Sequence, residues 1–265
     1  MSKQAYVSLL SSDEYLNCIL VLHQSLKKVN SQHELILVIN DELNLDTLYE
    51  LKIRNIKTIQ FDKIQYPKST IKKMEENGWM NSNLYNTADK LRIFSLTDYE
   101  KLVYLDADLL ILKNIDYLFS YPNGCAVIDA GAVYDCDSSL FGLKESRDYY
   151  HNFNSGLLVI EPKENSFNEL YEIMLYTQGY DQEIIRKYWS FWLEDTSKHL
   201  PQSLNVFVNL IPYYLGYGIL NLLDVEILHF AGTKPFQLRN LNLSTSNGIF
   251  QKYYLELLNE ARNNI

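Results

Sequence analysis

Apolar runs alternate along the chain with stretches whose apolar positions recur every three or four residues, and this alternation predicts strands and helices in turn. Ala5–Leu10 is a short apolar run ending in Ser11-Ser12-Asp13, where Ser12 or Asp13 is placed to cap a helix from Tyr15 through Leu22 to Leu26. Glu34–Ile39 is continuously apolar after its first residue, the pattern of a strand covered on both faces. Asn40-Asp41 ends it, Leu45–Ile53 has helical spacing, and Lys57–Phe61 is a third strand. Strands and helices in this order predict a right-handed parallel sheet, a nucleotide-binding type of scaffold.

Residues 66–86 carry turn formers with little periodicity, which predicts a loop or short helix near the site. Thr87–Leu96 reads as a helix with Leu91, Phe94 and Ser95 inward. Farther on, Asn114–Phe119 looks like a short helical turn, Cys125–Ile128 a strand, and Asp135–Asp148 polar and irregular. Phe153–Ile160 is a turn opening into a strong strand, Ser166–Leu175 a helix, and a further helix starts near Asp181. His199–Asn205 reads as a loop, Val225–His229 as a last strand, and Phe250–Ala261 as an amphipathic helix.

The most informative stretch is Leu102–Leu112, an apolar run interrupted by Asp106-Ala107-Asp108. A carboxylate in such a setting must be paired, hydrogen-bonded or bound to a cation, because burying it bare is costly. Residues two apart in an extended segment point to one side, so both aspartates can face one cation from a strand end. Oxygen ligands with no cysteine or histidine in the same stretch suit Mn, with Mg as the second choice, better than zinc. Such an ion keeps part of its shell for a ligand, and a diphosphate is the obvious one.

Composition narrows the partners. The 265 residues are 47% hydrophobic and 22% charged, as in ordinary globular proteins, and no linker divides them. A net charge of -9 argues against a nucleic-acid partner and is compatible with an anionic ligand bridged by a cation. Cys18, Cys125 and Cys136 are too few and too scattered for a disulfide framework or a zinc site. The opening Met-Ser-Lys-Gln-Ala-Tyr-Val has no signal-peptide pattern, and no run reaches the ~18 apolar residues of a membrane span. These readings predict a cytoplasmic protein without a membrane span.

Seven segments in order resemble glycosyltransferase family 8, and within it the glycogenin-like proteins. They are Val7-Ser-Leu-Leu-Ser-Ser-Asp-Glu-Tyr15, Lys90-Leu91, Tyr104-Leu-Asp-Ala-Asp108, Phe153-Asn-Ser-Gly156, Asp181-Gln-Glu-Ile-Ile185, His199-Leu-Pro201 with Asn205, and His229-Phe-Ala-Gly-Thr-Lys-Pro-Phe236. The resemblance implies an α/β fold of the GT-A nucleotide-diphosphosugar transferase type, with a mostly parallel central sheet flanked by helices. It also implies one such domain over 1–265, with 1–112 as the nucleotide- and metal-binding half and 113–265 as the sugar and acceptor half. The activity implied is Mn-dependent transfer of a hexose, glucose first, from a UDP-sugar with retention at the anomeric carbon, by a homodimer. By the same resemblance Leu9, Ser11, Ser12 and Tyr15 hold the uridine, and Ala107 touches the ribose through its backbone. Asp106, Asp108 and His229 bind the metal. Lys90, Asn154 and Ser155 contact the sugar side, Asp181 and Gln182 flank the anomeric carbon, and Gly232 and Lys234 take the diphosphate.

The chain departs from the glycogenin form in places. The segment from His229 has one residue fewer between Gly232 and Lys234 and ends in Phe236 instead of tryptophan. Lys72 or Lys73 stands nearest to a basic residue that the relatives place before the Lys90 helix. Pro212 aligns with the self-glucosylated tyrosine of glycogenins, leaving Tyr213 or Tyr214 as the candidate acceptor. Alternatives are a transferase acting on a separate glycan, a lipid-linked acceptor or a polyol as galactinol synthases do, a non-catalytic sugar-nucleotide binder, or a nucleotidyltransferase. The last normally shows a Gly-rich basic loop after its first strand, and Leu9-Leu-Ser-Ser-Asp13 has neither feature.

Overall fold

A computed structural model describes residues 3–76, 82–129, 152–216, 218–232, 234–237 and 246–263. The predicted irregular stretch Asp135–Asp148, which includes Cys136, lies outside the described residues. The opening is β1 (Gln4–Leu10), α1 (Leu16–Lys28), β2 (Leu35–Ile39), α2 (Leu45–Ile53) and β3 (Lys57–Gln60), with the three strands parallel. β2 is buried along its whole length because it lies between β1 and β3 with both faces covered. β3 is the edge, where Lys57 pairs with Glu34 at 3.0 Å and charge discourages further strand addition. Ser12 does act as a cap, but on a 3-10 turn over Asp13–Tyr15 that precedes α1.

Between α3 (Lys68–Glu76) and β4 (Lys101–Leu105), Ser82–Ser95 is 3-10 where the spacing predicts an α-helix. At three residues per turn Ala88, Leu91 and Phe94 stack on one line and are all buried. Lys90 and Ile93 form a second buried line, whereas Ser95 is only half-buried.

The chain then runs through β5 (Leu109–Ile111), β6 (Cys125–Ile128), β7 (Phe153–Ile160), α4 (Ser166–Tyr176), α5 (Asp181–Tyr188), β8 (His199–Leu200), β9 (Val206–Phe207), α6 (Ile211–Gly216), β10 (Ile227–His229) and α7 (Ser246–Asn263). The described residues form a seven-stranded sheet in the order β3-β2-β1-β4-β7-β6-β8 and a three-stranded sheet in the order β5-β10-β9. The large sheet is mostly parallel, and β7 runs antiparallel to both of its neighbours.

Two expectations need correction here. The run Leu102–Leu112 is not one strand: β4 stays in the large sheet, β5 pairs antiparallel with β10, and Asp106-Ala107-Asp108 is the turn between the sheets. Phe153-Asn-Ser-Gly156 is not a turn but the first half of β7.

Side chains alternate across the large sheet into two cores. Tyr6, Val103, Leu105, Leu157 and Val159 face one, and Ala5, Val7, Leu102, Tyr104 and Leu158 the other. α7 packs on α1 through Tyr254, Leu257 and Leu258, and its surface is pinned by Lys28 to Glu260 at 2.8 Å. Cys18 and Cys125 are buried free thiols, and burial pushes them up to about 12 and about 11. No helix among the described residues is long and apolar enough to cross a membrane.

Candidate active site

A cleft of about 520 Å³ opens beyond the carboxyl ends of β1 and β4, where open α/β sheets bind ligands. Leu9, Ser11 and Tyr15 form one wall, the turn residues Asp106, Ala107 and Asp108 the floor. Lys90 enters from the 3-10 segment, Asn154 and Ser155 from β7, and Asp181 and Gln182 from the start of α5. His229, Gly232 and Lys234 close the site from the end of β10 and the loop after it. Of the residues predicted to hold nucleotide, sugar or metal, only Ser12 is absent from the lining, its hydroxyl being turned to the Glu14 N–H. Lys72, offered above as a stand-in basic residue, pairs with Glu76 at 3.8 Å on α3.

Asp106, Asp108 and His229 each present a ligand atom, and all of these atoms lie within 4.8 Å of one another. Sheet geometry explains the convergence. His229 sits opposite Leu109 in the β5–β10 ladder, the Phe230 N–H donates to the Asp108 carbonyl at 3.0 Å, and the Asp106 N–H donates to the Gly156 carbonyl at 2.8 Å. Gly156 is where β7 passes closest. A Cβ there would stand 2.8 Å from Asn154 Oδ1, 2.9 Å from His229 Cε1 and 3.0 Å from Asp106 Oδ2, so this position has no room for a side chain.

Cations and carboxylates alternate through the cleft. Lys234 Nζ lies 2.5 Å from Asp108 Oδ2, and His229 Nε2 lies 3.3 Å from Asp108 Oδ1. Burial alone would raise the Asp108 carboxyl, but the His229 ring and the Lys234 ammonium outweigh it and hold it below the usual range. Lys90 Nζ bridges Asp181 Oδ2 at 2.6 Å and Asp106 Oδ1 at 3.1 Å. Burial pulls that ammonium down, yet the two carboxylates together leave it raised. Asp181 is likewise held low: burial opposes its charge, and Lys90 and the hydroxyls of Thr87 and Ser155 more than compensate. Two carboxylates and an imidazole form a donor set that fits Mn or Mg, and the ammonium already seated on Asp108 shows that the spot favours positive charge.

Beyond the ligands runs a network the sequence did not announce. His229 stacks on Phe207 at 4.7 Å between ring centroids, and its Nδ1 meets Asn205 Oδ1 at 2.8 Å. Asn205 connects to Asn154, Asn154 to Gln182, and Gln182 to Asp129, which is paired with Arg186 at 2.8 Å. Asp129 had a readable signal, an acidic residue directly after the buried strand Cys125–Ile128, as Asp106 directly follows β4. Asn205 had only its place in the resemblance. Neither candidate acceptor lines the cleft. Tyr214 is buried in the core and its hydroxyl is raised by that burial, whereas Tyr213 is 43% exposed.

The sequence profile of the family described as Glycosyl transferase family 8 matches residues 6–237. The chain belongs to that family. Among its family 8 relatives, the "Putative UDP-glucuronate:xylan alpha-glucuronosyltransferase 5" of Arabidopsis thaliana is 32% identical over 238 residues, covering 88% of this chain and 36% of that protein. "Glycogenin-1" of Mus musculus is 29% identical over 249 residues, covering 89% of this chain and 66% of that protein. This family 8 chain therefore spans about a third of the first relative and just under two thirds of the second. The crystal structure of the galactosyltransferase LgtC in complex with donor and acceptor sugar analogs matches with a TM-score of 0.65 over 97% of this chain and 95% of that one, at 17% identity. That likeness speaks for the fold, which is of the GT-A type.

Proposed function

We propose that this chain is a retaining, divalent-metal-dependent glycosyltransferase that moves a neutral hexose, glucose before others, from a UDP-sugar. The observation that carries the reading is the placement of Asp106, Asp108 and His229 in the same cleft as the Lys90–Asp181 pair. In this reading Leu9, Ser11 and Tyr15 hold the uridine, with the half-exposed Tyr15 ring against the base, and Ala107 meets the ribose. Mn held by Asp106, Asp108 and His229 supplies, when bound, Lewis-acid neutralisation of the diphosphate leaving group. Lys234 and the Gly232 backbone contact the diphosphate from the loop after β10. Lys90, Asn154 and Ser155 orient the sugar. Asp181, kept ionised by Lys90, places negative charge beside the anomeric carbon as the C–O bond to UDP breaks, and Gln182 stands next to it.

The name of one relative specifies UDP-glucuronate as its donor, and a neutral hexose is the reading taken for this chain. Among the described residues the ammonium groups that line the cleft, Lys90 and Lys234, both face aspartates, and a uronate would add a further carboxylate there. The acceptor is either Tyr213 of a second copy, which the exposure of that ring supports, or a separate glycan, lipid-linked or polyol molecule.

The test is incubation of the full chain with Mn²⁺ and UDP-glucose, followed by UDP release and intact-mass spectrometry, with Asp106→Ala as the control. Mn-dependent UDP release that drops at least about a hundredfold in Asp106→Ala is the expected outcome. Mass added in hexose steps and lost in Tyr213→Phe assigns self-transfer, and release without added mass assigns an external acceptor. Faster turnover of UDP-glucuronate than UDP-glucose overturns the neutral-sugar reading. No UDP from any hexose or uronate donor overturns the transferase.

A further inference from the structure

A run of side-chain amides leads from the far wall of the cleft to the ring of His229, and its hydrogen bonds have a direction. It starts at groups whose roles are fixed by chemistry. The Ser155 backbone N–H can only donate, and it donates to Gln182 Oε1 at 2.9 Å; the Asp129 carboxylate, ion-paired with Arg186, can only accept, and it accepts from Gln182 Nε2 at 2.9 Å. Gln182 therefore has one orientation. Its Oε1 also accepts from Asn154 Nδ2 at 3.0 Å, while Asn154 Oδ1 accepts the Gly156 backbone N–H at 3.0 Å, which fixes Asn154 in turn. Asn205 must then offer Nδ2 to Asn154 Oδ1, at 2.9 Å, and is left with Oδ1 facing His229 Nδ1 at 2.8 Å. An acceptor opposite Nδ1 requires the proton to be on Nδ1.

We propose that Asn205 is a positioning residue that sets the tautomer of His229: it holds the ring as Nδ1–H, so that Nε2 keeps its lone pair on the side of Asp106 and Asp108. Three observations strengthen this. Asn205 is fully buried, so water cannot replace its carbonyl at Nδ1. The Phe207 ring, stacked at 4.7 Å and 21°, holds the imidazole plane. Neutral imidazole in water favours the other tautomer, so the network acts against the intrinsic preference of the ring. The proton on Nδ1 follows from the hydrogen bonds; that Nε2, which faces Asp108 Oδ1 at 3.3 Å, gives its lone pair to a metal rests on the function proposed above. A metal-ligating imidazole is oriented by the acceptor on its other nitrogen, and loss of such an acceptor costs about 10–100-fold in metal affinity.

Long-range proton–nitrogen correlation spectra of the full chain labelled at its five histidines test the tautomer without metal or turnover, with His229→Gln used to assign the signal. A protonated Nδ1 is expected in the parent chain and in Asn205→Asp, whose carboxylate accepts the same proton although it gives up the bond donated to Asn154 Oδ1. In Asn205→Leu the proton is expected on Nε2 instead. In parallel, Mn²⁺ titration followed by electron paramagnetic resonance of the free ion should show affinity about 10–100-fold weaker in Asn205→Leu and retained in Asn205→Asp. An unprotonated Nδ1 in the parent chain overturns the proposal even if no variant folds. So does an Asn205→Leu chain that keeps both the Nδ1 proton and the parent affinity. A parent chain with Nδ1 protonated that binds no Mn²⁺ upholds the tautomer and overturns the metal reading instead.

Discussion

Lys90 joins two carboxylates of the cleft, Asp106 and Asp181. Its ammonium is buried between two carboxylates and also donates to the Ser155 hydroxyl at 3.1 Å, so removing it strands Asp181 without a counter-charge. Breaking a buried pair from one side costs more than the pair contributes, because the remaining charge has no solvent. Lys90→Met keeps the aliphatic stem and should lower unfolding free energy by about 3 kcal/mol in urea titration. Activity should fall below detection, since Asp181 would lose the partner that keeps it ionised. An unchanged denaturation midpoint would show that Asp181 recruits water or another cation. At this scale the sequence was readable where chemistry makes a residue conspicuous: a carboxylate at the end of an apolar run has few explanations. Asn205 was not readable, because an amide acquires its role from what it faces.

At the scale of elements, the first half of β7 shapes the site. It brings Asn154 and Ser155 into the cleft and, at Gly156, lets the backbone pass within contact of His229 and Asp106. A Gly156→Ala chain should fold, with a loss of about 1–3 kcal/mol from overpacking. Its methyl group must displace the metal-side groups by a few tenths of an ångström or more, and misplacement approaching 1 Å costs about a hundredfold in rate. A steady-state comparison with the parent checks this; unaltered kcat with a normal melting curve would mean that His229 moves without consequence. Element boundaries were legible for β2, α2 and β6, where a continuous apolar run or helical spacing marks the extent. They were not legible for β8 and β9, because a two-residue strand has no period. Nor was the 3-10 winding of Ser82–Ser95, since spacings of 3.0 and 3.6 diverge little over two turns.

For the whole molecule, acid sensitivity should begin above the carboxylate range. His23, half-buried on α1, is lowered from its ordinary 6.5 to about 4, chiefly by burial and further by the charges of Lys27 and Arg54. The unfolded chain therefore binds a proton on this group at a pH where the folded chain does not. Stability contributed by neutral His23 is present above about pH 6.5 and is lost progressively as pH falls toward 4. Urea titrations across that window should give a slope that is shallower in His23→Gln than in the parent. Equal slopes would place the acid sensitivity elsewhere. Asp181, held low by Lys90, adds its own loss only at the lower end, as pH drops through the carboxylate range.

The sequence by itself determined the family, the opening β-α-β-α-β unit, and the identity of the groups that converge in the cleft. Those features rest on local patterns: apolar periodicity, capping residues, and charged groups where charge is costly. Tertiary structure alone decided that the aspartates sit in a turn between two sheets, that β7 runs antiparallel between β4 and β6, that Tyr214 is core and Tyr213 surface, and that Asn205 faces His229. Each of these depends on which strands pair and which side chains then meet across 24 to more than 50 positions of sequence. No local period encodes that, because the free energy of such a contact exists only once the intervening chain has folded.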